Sequence, residues 1–311
     1  MAALPGATAL LALPLATLIA CAGSPVQSET VERNLKAGKR DRFYELHVPA
    51  SYRAGTPAPV VMVWHGGGGF PAAVARQSRM NEVADKHGFL VVYPAGSGVF
   101  AGKLLTFNAG ACCGYASRND VDDVAFAAAV LDDLAKDYSI DRKRVFSTGI
   151  SNGAMISYRL ACEIPGRIAA IGPVSGVLGV PCSAPGRPVP VIHFHGTADE
   201  NSPYHGGKGA HSVSQVDFRS VPDTLRTFVV RNGCPEQPAP AARRVGAATE
   251  YRYGPCRGGS EVVLWSIEGG GHTWPGGDPA SGFVARIVGS VNRDIFASEL
   301  MWQFFEKHPM R

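Results

Sequence analysis

The 311-residue chain has no run of five or more basic residues, no C-x-x-C pair, no internal repeat and no low-complexity segment. Only 18% of its residues are charged, against 45% hydrophobic, and its net charge of +4 is spread along the sequence. Without a basic block, that charge argues against nucleic-acid binding. So few charges with so much apolar content exclude a disordered or coiled-coil chain. The absence of C-x-x-C removes the commonest zinc spacing, and no metal or cofactor is expected. No Lys-Ser/Thr follows the glycine run at 66–69 and no G-x-G-x-x-G opens the next helix, which excludes a phosphate-binding loop. The 37 glycines follow no triplet period, so they serve tight turns and close backbone approaches rather than a collagen helix.

The first twenty residues lack charged side chains altogether. Residues 8–20, TALLALPLATLIA, have the length of a signal-peptide core, and Pro14 would kink a spanning helix. The core ends in Leu18-Ile19-Ala20-Cys21, which resembles a bacterial lipobox in which Cys21 is acylated. An ordinary signal peptide with a coincidental cysteine is the alternative. The expectation is an exported protein, periplasmic or extracellular, that meets a membrane only through an N-terminal lipid. Residues 1–20 then form the signal peptide, 21–39 a polar tether and 40–311 a single catalytic domain. No second stretch is long and apolar enough to span a bilayer.

Six further cysteines suit an oxidising compartment and up to three disulfides. Cys234 and Cys256 sit in two turns, NGCPEQ and YGPCRG, and form a local pair. Cys162 and Cys182 can close a second loop. Adjacent Cys112 and Cys113 are then either bonded to each other or exchanged with that pair.

Strands alternate with helices along the sequence. The run Pro59–Trp64 is continuously apolar, as in a strand buried on both faces, whereas Arg42–Val48 alternates like an edge strand. Helices are expected over 72–87, 122–138, 152–162, 222–232 and 292–308, with strands at 89–93, 144–148, 169–174, 189–194 and 261–267. Asp120, Asp122 and Asp123 favour the start of the second helix through its dipole. This order implies an α/β fold, a mostly parallel sheet with helices on both faces.

The chemistry lies where strands end. Gly149-Ile150-Ser151-Asn152-Gly153 is a G-x-S-x-G between an apolar strand and a helix, the setting that lifts a serine Oγ above a sheet. A serine nucleophile needs a base and an acid, and both follow in the order this arrangement requires. Asp199 lies in HGTADE after one strand, with Glu200 as its rival. His272 lies in GGGHTWPGG after another. The remaining histidines at 47, 87 and 308 fall in an edge strand and at helix ends, and His205 and His211 in a glycine-rich loop. Gly66 and Gly67, after the strand ending in Trp64, offer bare backbone for an oxyanion hole, with the Asn152 N–H as second donor. His193 and His195 are two apart on a strand, a spacing metal sites use, but Thr197 stands where a metallohydrolase would need an acid. Buried, hydrogen-bonded histidines are the better account.

Together HGGGG, NAGACCG before VDDVAF, GISNGAMISYRLAC, HGTADENSPY and GGGHTWPGG resemble the polyhydroxybutyrate depolymerase-type esterases. That family includes the feruloyl and acetylxylan esterases of carbohydrate esterase family 1. The resemblance covers about residues 40 to 308. It implies an α/β-hydrolase fold and cofactor-free hydrolysis of carboxylic esters, either feruloyl or acetyl esters of plant polysaccharide or a hydroxyalkanoate polyester. It carries over Ser151, Asp199 and His272 as the triad and suggests Trp274 and Tyr204 near the substrate. Ser202 stands where family members often have a small or apolar residue. A serine peptidase of the same fold, and a non-catalytic glycan- or polyester-binding lipoprotein, are the competing readings.

Overall fold

Alternate residues of the apolar run at 58–64 go to opposite sides of the sheet. Val60, Met62 and Trp64 join one core cluster, and Val61 and Val63 join the other. All five are fully buried, which is why the segment has no polar face. The computed structural model describes residues 1–2, 27–100, 102–182, 186–212, 214–239 and 243–311. The apolar stretch at 8–20 and Cys21 lie outside the described residues.

β1 (Glu29–Ala37), β2 (Arg40–Val48) and β3 (Ala58–Trp64) are followed by α1 (Pro71–Ser78), α2 (Met80–His87) and β4 (Leu90–Pro94). Then come α3 (Gly114–Arg118), α4 (Asp123–Asp137), β5 (Ile140–Ile150), α5 (Asn152–Glu163), β6 (Ala170–Val174) and β7 (Val191–Gly196). A short ladder of β8 (Gly207–Lys208) and β9 (Asp217–Phe218) precedes α6 (Val221–Asn232). β10 (Arg243–Val245), β11 (Ala248–Tyr253), β12 (Val262–Ile267), α7 (Gly282–Val288) and α8 (Ala297–Phe305) complete the fold.

Ten strands form one sheet in the order β1-β2-β4-β3-β5-β6-β7-β12-β11-β10. The six from β4 to β12 run parallel, and antiparallel hairpins flank them on both sides. Residues of α4, α5 and α6 pack in the cluster on one face, and those of α1, α2 and α8 in the cluster on the other. Among the described residues, no helix is long and apolar enough to cross a membrane.

Two expectations need correction. The segment read as a tether contains β1, which pairs with β2 along its whole length and takes the edge position assigned to β2. Its polar side chains hid an alternation in which Val31, Leu35 and Ala37 pack on the core, while Arg33 reaches Asp133 and Asp137. The helix expected over 72–87 is two helices, because Arg79 takes φ 54° and ends one as it begins the next.

Asp122 and Asp123, at the start of α4, divide their work. Asp122 caps the helix by accepting from Ala125 N at 2.8 Å. Asp123 is fully buried, accepts from Arg42 Nη2 at 2.8 Å and from Asn108 N at 2.7 Å, and so ties the 95–108 loop to the sheet. Arg42 completes the tie by donating to Ala95 O at 2.9 Å.

The disulfides join Cys162 to Cys182, Cys234 to Cys256 and Cys112 to Cys113. The adjacent pair is therefore bonded within itself rather than exchanged.

Candidate active site

β5 ends at Ile150 and α5 begins at Asn152, so Ser151 alone makes the turn, at φ 58° and ψ −121°. A non-glycine residue held there stores strain of about 1–3 kcal/mol, which the surrounding contacts must offset. Those contacts leave no room for side chains. A Cβ on Gly149 would stand 2.6 Å from Trp64 O, one on Gly153 2.1 Å from the same atom, and one on Gly176 2.4 Å from Ser151 O. Ser151 N donates to Val174 O at 2.9 Å, which fixes the turn over β6.

Asp199 and His272 leave the ends of β7 and β12, and their loops interlock. Ala198 N donates to Gly270 O at 3.0 Å, and His272 N donates to Val288 O at 2.7 Å. Asp199 Oδ2 lies 2.7 Å from His272 Nδ1, while Oδ1 accepts from Asn201 N and Ser202 N at 2.8 Å each. Burial alone would raise the Asp199 pKa. The charge on His272 and hydrogen bonds from His195 and His272 outweigh it and hold the carboxyl well below the usual range. The rival Glu200 is exposed and faces His211 at 3.1 Å instead.

The glycine run is steered by its first neighbour. His65 is buried, and burial pushes its pKa down to about 4, so the ring is neutral. Nε2 accepts from Gly96 N at 3.0 Å, which leaves Nδ1 to donate to Gly66 O at 2.8 Å. Gly69 N donates to the same oxygen at 3.0 Å. Because a trans peptide sets C=O and N–H on opposite sides, fixing Gly66 O also fixes the direction of the Gly67 N–H. A Cβ on Gly66 would lie 3.5 Å from Ser151 Cβ, and one on Gly67 3.8 Å from Asn152 Cβ, so the run passes directly beside the serine turn. Asn152 opens α5, where helix N–H groups lack intrahelical partners. Its side chain is occupied elsewhere, accepting from Phe107 N at 2.8 Å and donating to Phe107 O at 3.0 Å.

Ser151, Asn152, Gly67 and His272 line one cavity of about 630 Å³. Among the described residues no hydrogen bond joins Ser151 Oγ to His272. Serine–histidine contacts of this kind commonly tighten only when substrate is bound.

Neither aromatic residue expected near the substrate reaches this cavity. Trp274 is fully buried, donating from Nε1 to Ser298 Oγ at 3.0 Å, because the turn after His272 directs it into the core. Tyr204 lines a separate cleft of about 480 Å³ with Tyr251 and Tyr253, and its ring meets His195 edge-on. The cavity wall comes instead from Val99, Phe100 and Leu104, from Val284 on α7, and from the Cys112–Cys113 pair. The hydroxyls of Ser175 and Ser202, two further wall residues, are buried without a hydrogen-bond partner. The sequence signal for the wall was present in SGVFAGKLLTF, a glycine-containing loop whose Leu105 and Phe107 are buried while Val99, Phe100 and Leu104 stay exposed.

Residues 43–187 match the family model described as Esterase PHB depolymerase. NocK of Nocardia uniformis subsp. tsuyamanensis, named as a candidate esterase, is 29% identical over 88% of this chain and 82% of its own length. Feruloyl esterase D of Neurospora crassa is 27% identical over 90% of this chain and 86% of its own. Among solved structures, an acetyl xylan esterase from Aspergillus awamori superposes with a TM-score of 0.61 at 15% identity. That match covers 89% of this chain and 99% of the other.

Proposed function

We propose that this chain, a carboxylic ester hydrolase whose residues 43–187 match the esterase PHB depolymerase model, is an exported serine esterase of α/β-hydrolase fold acting through Ser151, His272 and Asp199. The observation that carries this reading is the 2.7 Å contact between His272 Nδ1 and Asp199 Oδ2, with His272 and Ser151 lining one cavity. A carboxylate on Nδ1 keeps that nitrogen protonated and leaves Nε2 free to act as base.

Ser151 Oγ attacks the ester carbonyl while His272 Nε2 takes its proton. The negative oxygen that forms is met by the N–H groups of Gly67 and Asn152, with Gly66 leaving the approach open. Collapse breaks the ester C–O bond, and His272 returns the proton to the departing alcohol. Water, deprotonated by the same ring, then releases the acid and restores Ser151.

The substrates are feruloyl esters, as in the name of the Neurospora relative, or acetyl esters, as in that of the Aspergillus acetyl xylan esterase, carried by plant polysaccharide, or hydroxyalkanoate polyester. The apolar wall of Val99, Phe100, Leu104 and Val284 suits an aromatic or aliphatic group on either. Export rests on the apolar stretch before Cys21 and on six cysteines joined in three disulfides, with Cys21 as lipid attachment point. The catalytic domain is a single unit that begins with β1 rather than after it.

A fluorophosphonate probe should label the wild-type protein and leave Ser151→Ala unlabelled. Equal labelling of both would sink the assignment. Rates on methyl ferulate, acetylated xylan, 3-hydroxybutyrate oligomers and matched amides then rank the substrate classes and exclude or admit a peptidase. Metabolic labelling with palmitate, lost in Cys21→Ser, tests the lipid.

A further inference from the structure

We propose that His195 is a positioning residue for Asp199, held as a one-way donor by a buried hydrogen-bond chain that ends at Tyr158. The proposal rests on the serine-esterase reading above and adds to it three residues that do not line the catalytic cavity.

The direction of the chain follows from its acceptor end. A carboxylate and a backbone carbonyl can only accept, and His195 Nε2 lies 2.8 Å from Ser202 O and 3.4 Å from Asp199 Oδ2. Nε2 therefore carries the hydrogen, and in the neutral ring Nδ1 accepts. Its partner at 3.0 Å is His193 Nε2, which must then donate. His193 Nδ1 accepts in turn, and the Tyr158 hydroxyl, 2.9 Å away, supplies the hydrogen. Each bond fixes the next, so both rings have a single tautomer. Tyr158 and His193 are fully buried and His195 nearly so. Burial drives His193 well below the ordinary histidine range, and burial raises Tyr158 well above the tyrosine range, so neither changes charge during turnover.

This chain gives the acid a grip on the side away from the cavity. Asp199 Oδ1 is held by two backbone N–H groups, whereas Oδ2 lies 2.7 Å from His272 Nδ1 and faces, at 3.4 Å, the His195 Nε2 that donates to Ser202 O. Through Ser202 O the same nitrogen also ties down the far end of the acid loop. The titratable groups packed against His195 are His193, Asp199 and Tyr204, with His272 across the carboxylate. Removing the His195 donor leaves the full Asp199 charge to His272, which stabilises the imidazolium.

The test compares His195→Gln with His195→Asn. The glutamine amide reaches the place of Nε2; the asparagine amide reaches only the place of Nδ1. On p-nitrophenyl acetate, His195→Asn should lower kcat about tenfold or more with KM unchanged, as expected when a bond to a charged group is lost. Its acid limb of kcat/KM should move to higher pH, and the low-field proton resonance of the His272–Asp199 hydrogen bond should shift. His195→Gln should recover most of kcat and the wild-type limb. Identical kcat and pH profiles for the two variants, or a wild-type resonance in His195→Asn, would overturn the positioning role. Should His195→Asn not fold, the comparison passes to Tyr158→Phe, which removes the hydroxyl that fixes the His193 tautomer: kcat should fall and the acid limb move in the same direction with KM unchanged, and a wild-type kcat and pH profile in Tyr158→Phe would overturn the positioning role. Fluorophosphonate labelling of the wild type, run alongside, separates this outcome from a failure of the serine-esterase reading.

Discussion

Gly153 passes so close to Trp64 that a Cβ added to it would stand 2.1 Å from the Trp64 carbonyl oxygen. The oxygen belongs to the last residue of β3, just before the glycine run, and Gly153 belongs to the first turn of α5, just after the serine. Their contact sets the distance between the Ser151 turn and the glycine loop at 66–69. Gly153→Ala must push the two apart, and overpacking of this kind costs about 1–3 kcal/mol. Urea unfolding should show that loss, and kcat should fall further than stability alone explains, because the serine turn moves relative to Gly67. An alanine variant with wild-type kcat would show that the spacing is not critical.

His65 links stability to pH. Its pKa falls from 6.5 to about 4 on folding, so between those values the unfolded chain binds a proton that the folded chain refuses. The stabilisation is complete above 6.5 and is lost as pH drops toward 4. At 1.36 kcal/mol per unit it amounts to about 3 kcal/mol. His193, also lowered by burial, contributes in the same direction. His65→Asn keeps a donor for Gly66 O but has nothing to titrate. The fall in unfolding free energy from pH 7 to 4.5 should therefore be smaller by about 2 kcal/mol or more in this variant. An equal fall in both proteins would mean that His65 is not held neutral by the fold.

The same chemistry governs the rate. In the proposed mechanism His272 must be neutral to accept the Ser151 proton, so kcat/KM should rise with pH along an acid limb and then level off. Asp199→Asn keeps the shape of the acid but presents its histidine with the wrong hydrogen-bonding partner, and kcat should drop about 10³- to 10⁴-fold. A rate flat from about pH 5 to 9, or an Asp199→Asn variant within tenfold of wild type, would exclude His272 as the base.

The parts of this site that could be read from the sequence are those governed by backbone geometry. G-x-S-x-G between an apolar strand and a helix marks a turn that only small neighbours permit, and Gly149 and Gly153 meet Trp64 O for that reason. Asp199 and His272 follow strands whose carboxyl ends face one side of a parallel sheet. Side-chain direction was not legible. Trp274 stands two residues from His272 yet turns into the core, and Tyr204 faces a second cleft behind the acid loop. β1 was hidden because an edge strand exposes alternate residues, and its polar set dominates the composition. The wall at 99–104 was hidden for the opposite reason, since apolar residues in a loop read as core until the fold leaves them exposed.

That wall gives the most direct test of what the enzyme contacts beyond the scissile bond. Phe100 and Leu104 are 62% and 66% exposed while lining the mouth of the catalytic cavity, so water bears a cost that an apolar substrate group would remove. Covering half of such a side chain is worth about 1 kcal/mol, and the two together about thirtyfold in binding. The double variant Phe100→Ser, Leu104→Ser should raise KM about thirtyfold for feruloyl or long-chain esters and leave kcat and KM for methyl acetate unchanged, since that ester is too small to reach the rim. Stability should hold or improve slightly, because no buried contact is lost. Parallel losses on methyl acetate would show that the loop supports the catalytic geometry instead. An unchanged KM on every ester would mean that the substrate does not cover Phe100 and Leu104.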